Sequence, residues 1–580
     1  MKKTIAKPVS AWRFHLVLLV ALVVLLLGRV LALQVLEVDK GYQFLKGQGE
    51  ARAVRIAEIP AHRGMISDRR GEPLAVSTPV ISLWVNPPLL AKQVARLPEL
   101  AAALAIDTKD LSQRLSRYSS KRFMYLKRRM VPNDARRILD LGITGVYGQR
   151  EYRRFYPAGE VSAHVVGMTN VDDDGISGLE LAFDDWLHGV PGKKKVIKDL
   201  RGDVVRDIGE LQAARPGRDL RLSIDLRLQY LQHRELQRAV AVTGAKAASV
   251  VTLDANTGEV LAMVNHPTYN PNNRQDIKVA HTRNRAIIDA IEPGSTVKPL
   301  TLAAALETGR YTKDTLIDTS PGRIRVAGKV IPDPRNYGVI SLARVIEKSS
   351  QVGISKIALD IGHQPVWDVF SRLGLGQMPG TGFPGESAGV LPNRHKWHLT
   401  EQVTLAYGYG FTVTPLQLAR AYSVFANGGI RHDISLLALD GAAKGGQRVM
   451  DAATAGEVLT VLQLVTGEHG TGKRAQVAGY RVGGKTGTVH KLGAKGYIDD
   501  KYIALFAGIA PINNPRVVTV VVIDEPKGDN YGGGSAAAPV FSRMLSSVLP
   551  LLHVVPDSVP EVTDSAVVIS TAAVYTGAAS

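Results

Sequence analysis

Residues Glu292–Pro299 read EPGSTVKP. The Pro293-Gly294 pair ends whatever precedes it. The following STVKPLTLAAALETG, from Ser295 to Gly309, has the composition of a helix, with Pro299 tolerable because it falls in the first turn or so. Residues three apart on a helix share a face, so the Ser295 hydroxyl and the Lys298 amine are expected to meet there, with the serine at the helix N-terminus. A serine hydroxyl is a weak nucleophile until a neighbouring base takes its proton. A lysine can be that base if burial and nearby positive charge lower its pKa. The orphan N–H groups at the helix start add positive potential where an oxyanion or a substrate carboxylate would lie. No histidine is required.

One Ser-x-x-Lys is weak evidence, since about one or two arise by chance in a chain of this size. Two further elements follow in order. EKSSQVGIS, from Glu347 to Ser355, supplies Ser349 on a short loop or helical turn. GGKTGTVH, from Gly483 to His490, places Lys485, Thr486 and Thr488 on a strand whose Gly483, Gly484 and Gly487 let another backbone or a ligand approach closely. Three such elements in this order are the motif set of serine acyl-transferring enzymes.

The rest of the chain sets the context. Its 580 residues suit two or three domains, and 45% hydrophobic with 21% charged residues is a globular composition. The net charge of +18 would suit nucleic acid or an anionic membrane, but no long basic block rich in aromatics accompanies it. The largest cluster, GKKKVIK from Gly192 to Lys198, reads as a solvated loop. With no cysteine, compartment is read from the N-terminus. Lys2, Lys3, Lys7 and Arg13 precede an apolar run from Phe14 to Leu36, and Glu37 and Asp39 follow it. About 20 apolar residues span a bilayer, and the flanking charges place residues 1–13 in the cytoplasm and the bulk outside. A nucleic-acid role falls with that topology.

From about residue 50 to 220 the sequence reads as a mixed domain rich in strands and turns, without a clear period. It contains RGMISDRRGEPLA (63–75), RRFYPAGEVSAHVVG (153–167) and GLELAFDDWLHGVPG (178–192), which on their own read as turns, a cap and an amphipathic helix. Asp225–Val240 reads as a helix with an acidic residue at its head, and Ala248–Val264 as a hairpin about an Asn-Thr-Gly turn. The tail after about Pro556 is rich in Ser, Thr, Ala and Val and reads as mobile.

On these motifs the chain resembles the class B penicillin-binding proteins, and within them the division-type peptidoglycan D,D-transpeptidases. The resemblance runs from the N-terminal stub to about residue 550. It takes in HPTYNPN (266–272), RNRAI (283–287), GFPGE (382–386), YGYGFTVTPLQLARAY (407–422) and YGGGSAAAPVF (531–541). It implies an α+β architecture: a cytoplasmic stub (1–13), a single transmembrane helix (14–36), a strand-rich pedestal of the dimerisation type (37–220), a transpeptidase domain (221–556) and a tail (557–580). The transpeptidase domain is expected to be an antiparallel sheet with helices on both sides, as in the serine β-lactamases. Ser295 is then the acylated nucleophile, Lys298 its base, and Ser349 a proton relay to the leaving amine, helped by Lys485. Thr486, Gly487 and Thr488 are expected to hold the donor's terminal carboxylate. The backbone N–H groups of Ser295 and Thr488 are expected to form the oxyanion hole, with Tyr407, Tyr409 and Tyr531 walling the cleft.

Where the family pattern has Ser-x-Asn, this chain has Ser349-Ser350-Gln351, so the substrate-binding amide gains one methylene of reach and is expected to fold back to its contact. Val489 and His490 replace the small and basic residues often seen after Lys-Thr-Gly. The implied ligands are peptidoglycan stem peptides and β-lactams, with no metal and no cofactor. The implied partners are inner-membrane lipid through residues 14–36, a SEDS-family glycosyltransferase of the FtsW type and other divisome proteins. An elongation-type transpeptidase, a D,D-carboxypeptidase and a non-catalytic divisome scaffold remain open on the same residues. A soluble class A β-lactamase does not fit the anchor or the length.

Overall fold

The computed structural model describes residues 11–34, 54–198, 204–394, 396–441, 445–493 and 496–558. The first element, α1 (Ala11–Gln34), holds the apolar run expected to span a membrane, and Trp12–Leu33 is long and apolar enough to do so. Val35 and Leu36, and the tail from residue 559, lie outside the described residues.

The chain forms two compact units. One comprises Met1–Arg63, Pro79–Tyr152 and His188–Gly217; the other comprises Gly64–Thr78, Arg153–Leu187 and Arg218–Ser580. In the first unit, Val54–Ile59, Gly192–Lys198 and Val204–Gln212 form a three-stranded antiparallel sheet. Gly192–Lys198, expected as a solvated loop, is therefore the central strand. A charge count hid it, because Val196 is the strand's one buried hydrophobic among the described residues, while Lys194 pairs with Asp207 at 2.7 Å. This unit also holds helices that the sequence reading missed, at Leu97–Leu104, Thr108–Arg117 and Pro132–Leu139. Leu97, Leu100, Ala101 and Leu104 recur at helical spacing and are buried in one cluster with Leu111, Leu115 and Ile138.

The second unit is built on a five-stranded sheet, made of β1 (Ala247–Asp254), β2 (Val260–His266), β3 (Gly483–Gly493), β4 (Gly496–Ala510) and β5 (Val517–Asp524). The order is β2-β1-β5-β4-β3, and every pairing is antiparallel. Its central strands are near-continuous apolar runs because both faces are covered. Val518, Val520 and Val522 of β5 join one core with Leu505 and Ile509 of β4, while Val517, Val521 and Ile523 join another with Ala504 and Phe506. On the second face lie α2 (Leu226–Thr243) and, from the C-terminus, the helix Ala538–Leu551. The first face carries α3 (Lys298–Glu307), α4 (Gln351–Ile361), α5 (Pro415–Ala426) and α6 (Ala452–Thr466).

The expected helix is α2, with Asp225 as its N-cap accepting the Arg227 N–H at 3.0 Å. The expected hairpin is β1–β2, where Gly258 turns at φ +75°. Residues 178–192, which on their own read as one amphipathic helix, make two short helices, Gly178–Ala182 and Asp184–Leu187. Glu180 there points inward to a fully buried ion pair with Arg154 at 2.6 Å, so an acidic residue takes a core position. Nearby, Asn272 exchanges two hydrogen bonds with the backbone of Tyr156, joining two of the quoted motifs.

Candidate active site

The serine turn comes first. Gly294–Val297 form one tight helical turn that leads into α3, with Ser295 partly exposed and Thr296 and Val297 buried. Gly294 sits at φ +51°, and a Cβ there would lie 2.3 Å from Val489 Cγ1, so both its conformation and its neighbour require glycine. The turn is anchored through its backbone. Gly294 N–H donates to Gly408 O at 3.0 Å, Ile291 and Val413 exchange two bonds, and the Tyr422 hydroxyl donates to Thr296 O at 2.6 Å.

Lys298 opens α3 and is wholly buried. Its Nζ donates to Ser349 O at 2.6 Å and to Ser349 Oγ at 3.2 Å. Burial pushes its pKa down to about 7, against the opposing pull of the Asp333 carboxylate. Among the described residues no hydrogen bond links Lys298 to the Ser295 hydroxyl; the amine reaches across to Ser349 instead.

Ser349 sits at φ +59°, in the left-handed region that few non-glycine residues adopt. Asp333 fixes the residues that follow Ser349. That carboxylate accepts the Ser350 hydroxyl at 2.5 Å and the backbone N–H groups of Gln351 and Val352 at 2.5 and 3.2 Å. Ser350 in turn caps α4 by accepting Gly353 N–H at 2.9 Å. Asp333 was not legible in the sequence; its one local signal is an Asp-Pro step after a short strand, which says nothing of where the carboxylate points. Gln351, the first residue of α4, makes no side-chain hydrogen bond among the described residues and faces a cavity shared with Tyr407 and Tyr409.

The third element is β3. Lys485 is also wholly buried and donates to Thr486 O at 3.2 Å. Burial first, and then the charge of Lys298, hold its pKa well below the ordinary lysine value. Thr486 Oγ1 donates to Thr471 Oγ1 at 3.0 Å, and Thr488 Oγ1 accepts Gly533 N–H at 2.9 Å. A Cβ at Gly487 would lie 2.8 Å from Thr296 Cγ2, so this glycine lets the serine turn rest on the strand. The three elements thus converge: Lys298 bonds Ser349, its charge acts on Lys485, and Gly487 packs on Thr296.

A row of ring contacts borders them. Tyr407 meets Tyr409 (5.8 Å between centroids), Tyr409 meets Tyr497 (6.1 Å) and Tyr497 meets His490 (6.5 Å). His490 then meets Tyr502 (4.6 Å), and Tyr502 stacks on Tyr531 (4.2 Å). Tyr407 and Tyr409 therefore stand at one end of the row and Tyr531 at the other. Tyr497 and Tyr502 were not singled out in the sequence. Burial pushes the hydroxyls of both Tyr407 and Tyr409 up to about 12. Among the described residues no group of three or more His, Cys, Asp or Glu side chains is placed to hold a metal.

Residues 248–546 match the model of the penicillin binding protein transpeptidase domain, and residues 58–222 that of the penicillin-binding protein dimerisation domain. The peptidoglycan D,D-transpeptidase FtsI of Escherichia coli is 42% identical over 560 residues, covering 94% of this chain and 93% of that protein. The probable peptidoglycan D,D-transpeptidase PbpC of Pseudomonas aeruginosa is 40% identical over 534 residues, 92% of this chain and 94% of that one. Among solved structures, penicillin binding protein 3 of Mycobacterium tuberculosis, complexed with aztreonam, superposes with a TM-score of 0.67 at 28% identity. It covers 87% of this chain and 98% of its own. The transpeptidase domain of penicillin-binding protein 3 from Burkholderia pseudomallei aligns at 40% identity with a TM-score of 0.54, over 58% of this chain and 98% of its own.

Proposed function

The chain belongs to the penicillin-binding proteins that carry a dimerisation domain and a transpeptidase domain, and on that premise we propose that it cross-links peptidoglycan through an acyl-enzyme on Ser295. Ser295 Oγ attacks the carbonyl of the penultimate D-Ala of a donor stem peptide as its proton passes to the neutral amine of Lys298. The tetrahedral oxyanion is held by the backbone N–H groups of Ser295 and Thr488. Its collapse breaks the peptide bond, and the terminal D-Ala leaves with a proton relayed through Ser349 beside Lys298 and Lys485. An amine of a neighbouring stem peptide then attacks the ester, closing the cross-link and returning the serine. Thr486, Gly487 and Thr488 receive the donor carboxylate, and the Gln351 amide bonds the donor backbone with its longer reach. β-Lactams acylate the same serine.

The observation that carries this reading is Lys298, a buried amine with a pKa of about 7, bonded to Ser349 and electrostatically coupled to Lys485. In the cell, α1 serves as an inner-membrane anchor with a cytoplasmic N-terminus. Residues 37–220 act as pedestal and 221–556 as the periplasmic catalytic domain, working at the septum beside a SEDS-family glycosyltransferase. The test is fluorescent-penicillin labelling of membranes. The parent is expected to label and Ser295→Ala to be silent; a surviving band in the alanine variant refutes the nucleophile. Product analysis is expected to show dimeric muropeptides, and tetrapeptide without dimers would instead mark a carboxypeptidase.

A further inference from the structure

Glu292 lies three residues before Ser295 and is 7% exposed. A buried carboxylate is costly unless its oxygens are satisfied, and among the described residues no cation pairs with this one. Its partners are neutral. Oε1 accepts Gly410 N–H at 2.8 Å, from the loop that carries Tyr407 and Tyr409. The Tyr497 hydroxyl donates across both oxygens, at 3.1 and 2.9 Å. Tyr497 is the second residue of β4, on the arm where β3 and β4 run on past a break in their register between His490 and Leu492. Among the described residues this is the arm's single side-chain hydrogen bond to the segment that carries Ser295. Desolvation and the Glu292 carboxylate keep the tyrosine hydroxyl protonated, hence a donor, far beyond neutral pH.

The same ring forms a wall. A cavity of about 360 Å³ lies between Gln351, at the start of α4, the rings of Tyr407 and Tyr409, and Tyr497. Gln351 is two residues from Ser349, so this space adjoins the proposed reaction centre and lies on the side where the Gln351 amide would meet a donor.

We propose that the Tyr497–Glu292 bond is a strut that fixes the β3–β4 arm against the serine turn, and that Tyr497 thereby sets how the acyl side chain of a donor is held against Gln351. Both are positioning residues and neither touches the reacting bond. The proposal rests on Ser295 being the acylated residue.

The test uses full-length protein in detergent micelles and two acylating ligands. One is a fluorescent penicillin with a long acyl side chain, and the other is 6-aminopenicillanic acid, which has none and is followed by intact-protein mass spectrometry. Tyr497→Phe is expected to slow acylation by the first about tenfold, the worth of one bond to a charged group, and by the second less than about twofold. Glu292→Gln leaves one oxygen for two donors and is expected to behave alike. Because both changes break the same bond, the double variant is expected to be no slower than the slower single one. Equal slowing of both ligands, multiplying effects in the double variant, or no change in Tyr497→Phe would each overturn the strut. Ser295→Ala separates the two failures. If it is silent while Tyr497→Phe labels at the parent rate, the strut alone is wrong; if it still labels, the nucleophile assignment is wrong.

Discussion

A lysine amine carries a proton at pH 7 unless its surroundings oppose the charge, and at Lys298 burial opposes it. With a pKa near 7, acylation is expected to fall about tenfold per pH unit below that value and to level off above it, as titration of a general base requires. Rates of penicillin acylation between pH 5.5 and 9 check this, and Lys298→Arg, always protonated, is expected to be inactive at every pH. The stability sign follows from the same shift. A folded pKa depressed from 10.5 to about 7 gives stability that is present above 10.5 and is lost as pH falls toward 7. Lys298→Met should therefore raise the melting temperature more at pH 7 than at pH 10.5. Asp333 acts at the same scale. Asp333→Ala strips the acceptor from one hydroxyl and two backbone donors in Ser350, Gln351 and Val352, directly after the left-handed Ser349. It is expected to cost about 1–3 kcal/mol in stability and more than about tenfold in acylation, by thermal melting and labelling rates.

At the scale of elements, the site depends on three segments approaching backbone to backbone. Gly408 stands where a Cβ would lie 2.1 Å from Gly294 O, and Gly533 where one would lie 2.3 Å from Gly487 O. No flexible side chain can yield at either place. Gly408 is also at φ +94°, so Gly408→Ala meets strain and a backbone clash together. It should push the serine turn off β3 and abolish labelling, whereas alanine at Gly71, where φ is +92° but nothing lies within 4 Å, should cost stability alone. Labelling and melting curves of the two variants separate the effects. The order of the three motifs was plain in the sequence, and so were the helix after Ser295 and the strand bearing Lys485. Which glycines permit the approach was not, because a glycine in a loop and a glycine under a facing backbone are written alike.

Across the whole molecule, Gly64–Thr78 and Arg153–Leu187 belong to the same compact unit as the catalytic sheet. Arg154 and Glu180, with no exposed side-chain surface, anchor that packing, and Arg154 also donates to Gly64 O at 2.7 Å. Removing one member of a buried pair leaves the other's charge uncompensated at a cost of about 3–5 kcal/mol. Glu180→Gln is accordingly expected to lower the melting temperature while labelling well below the transition stays near the parent rate. Loss of labelling without loss of stability would place this pair in the reaction instead.

Local chemistry along the chain determined the apolar first helix, the buried strands with their unbroken aliphatic runs, the helix caps and the three acyl-transfer motifs in order. Each depends on residues within a few positions of one another, where hydrophobic period and side-chain type suffice. Folding alone decided that Lys298 bonds Ser349, that Asp333 holds the next turn through Gln351 and that Tyr497 reaches Glu292. Those three contacts join residues 51, 18 and 205 positions apart along the chain. Folding also made Gly192–Lys198 a central strand. All of these depend on strand register and on how closely two backbones can pack, which no local pattern of side chains specifies.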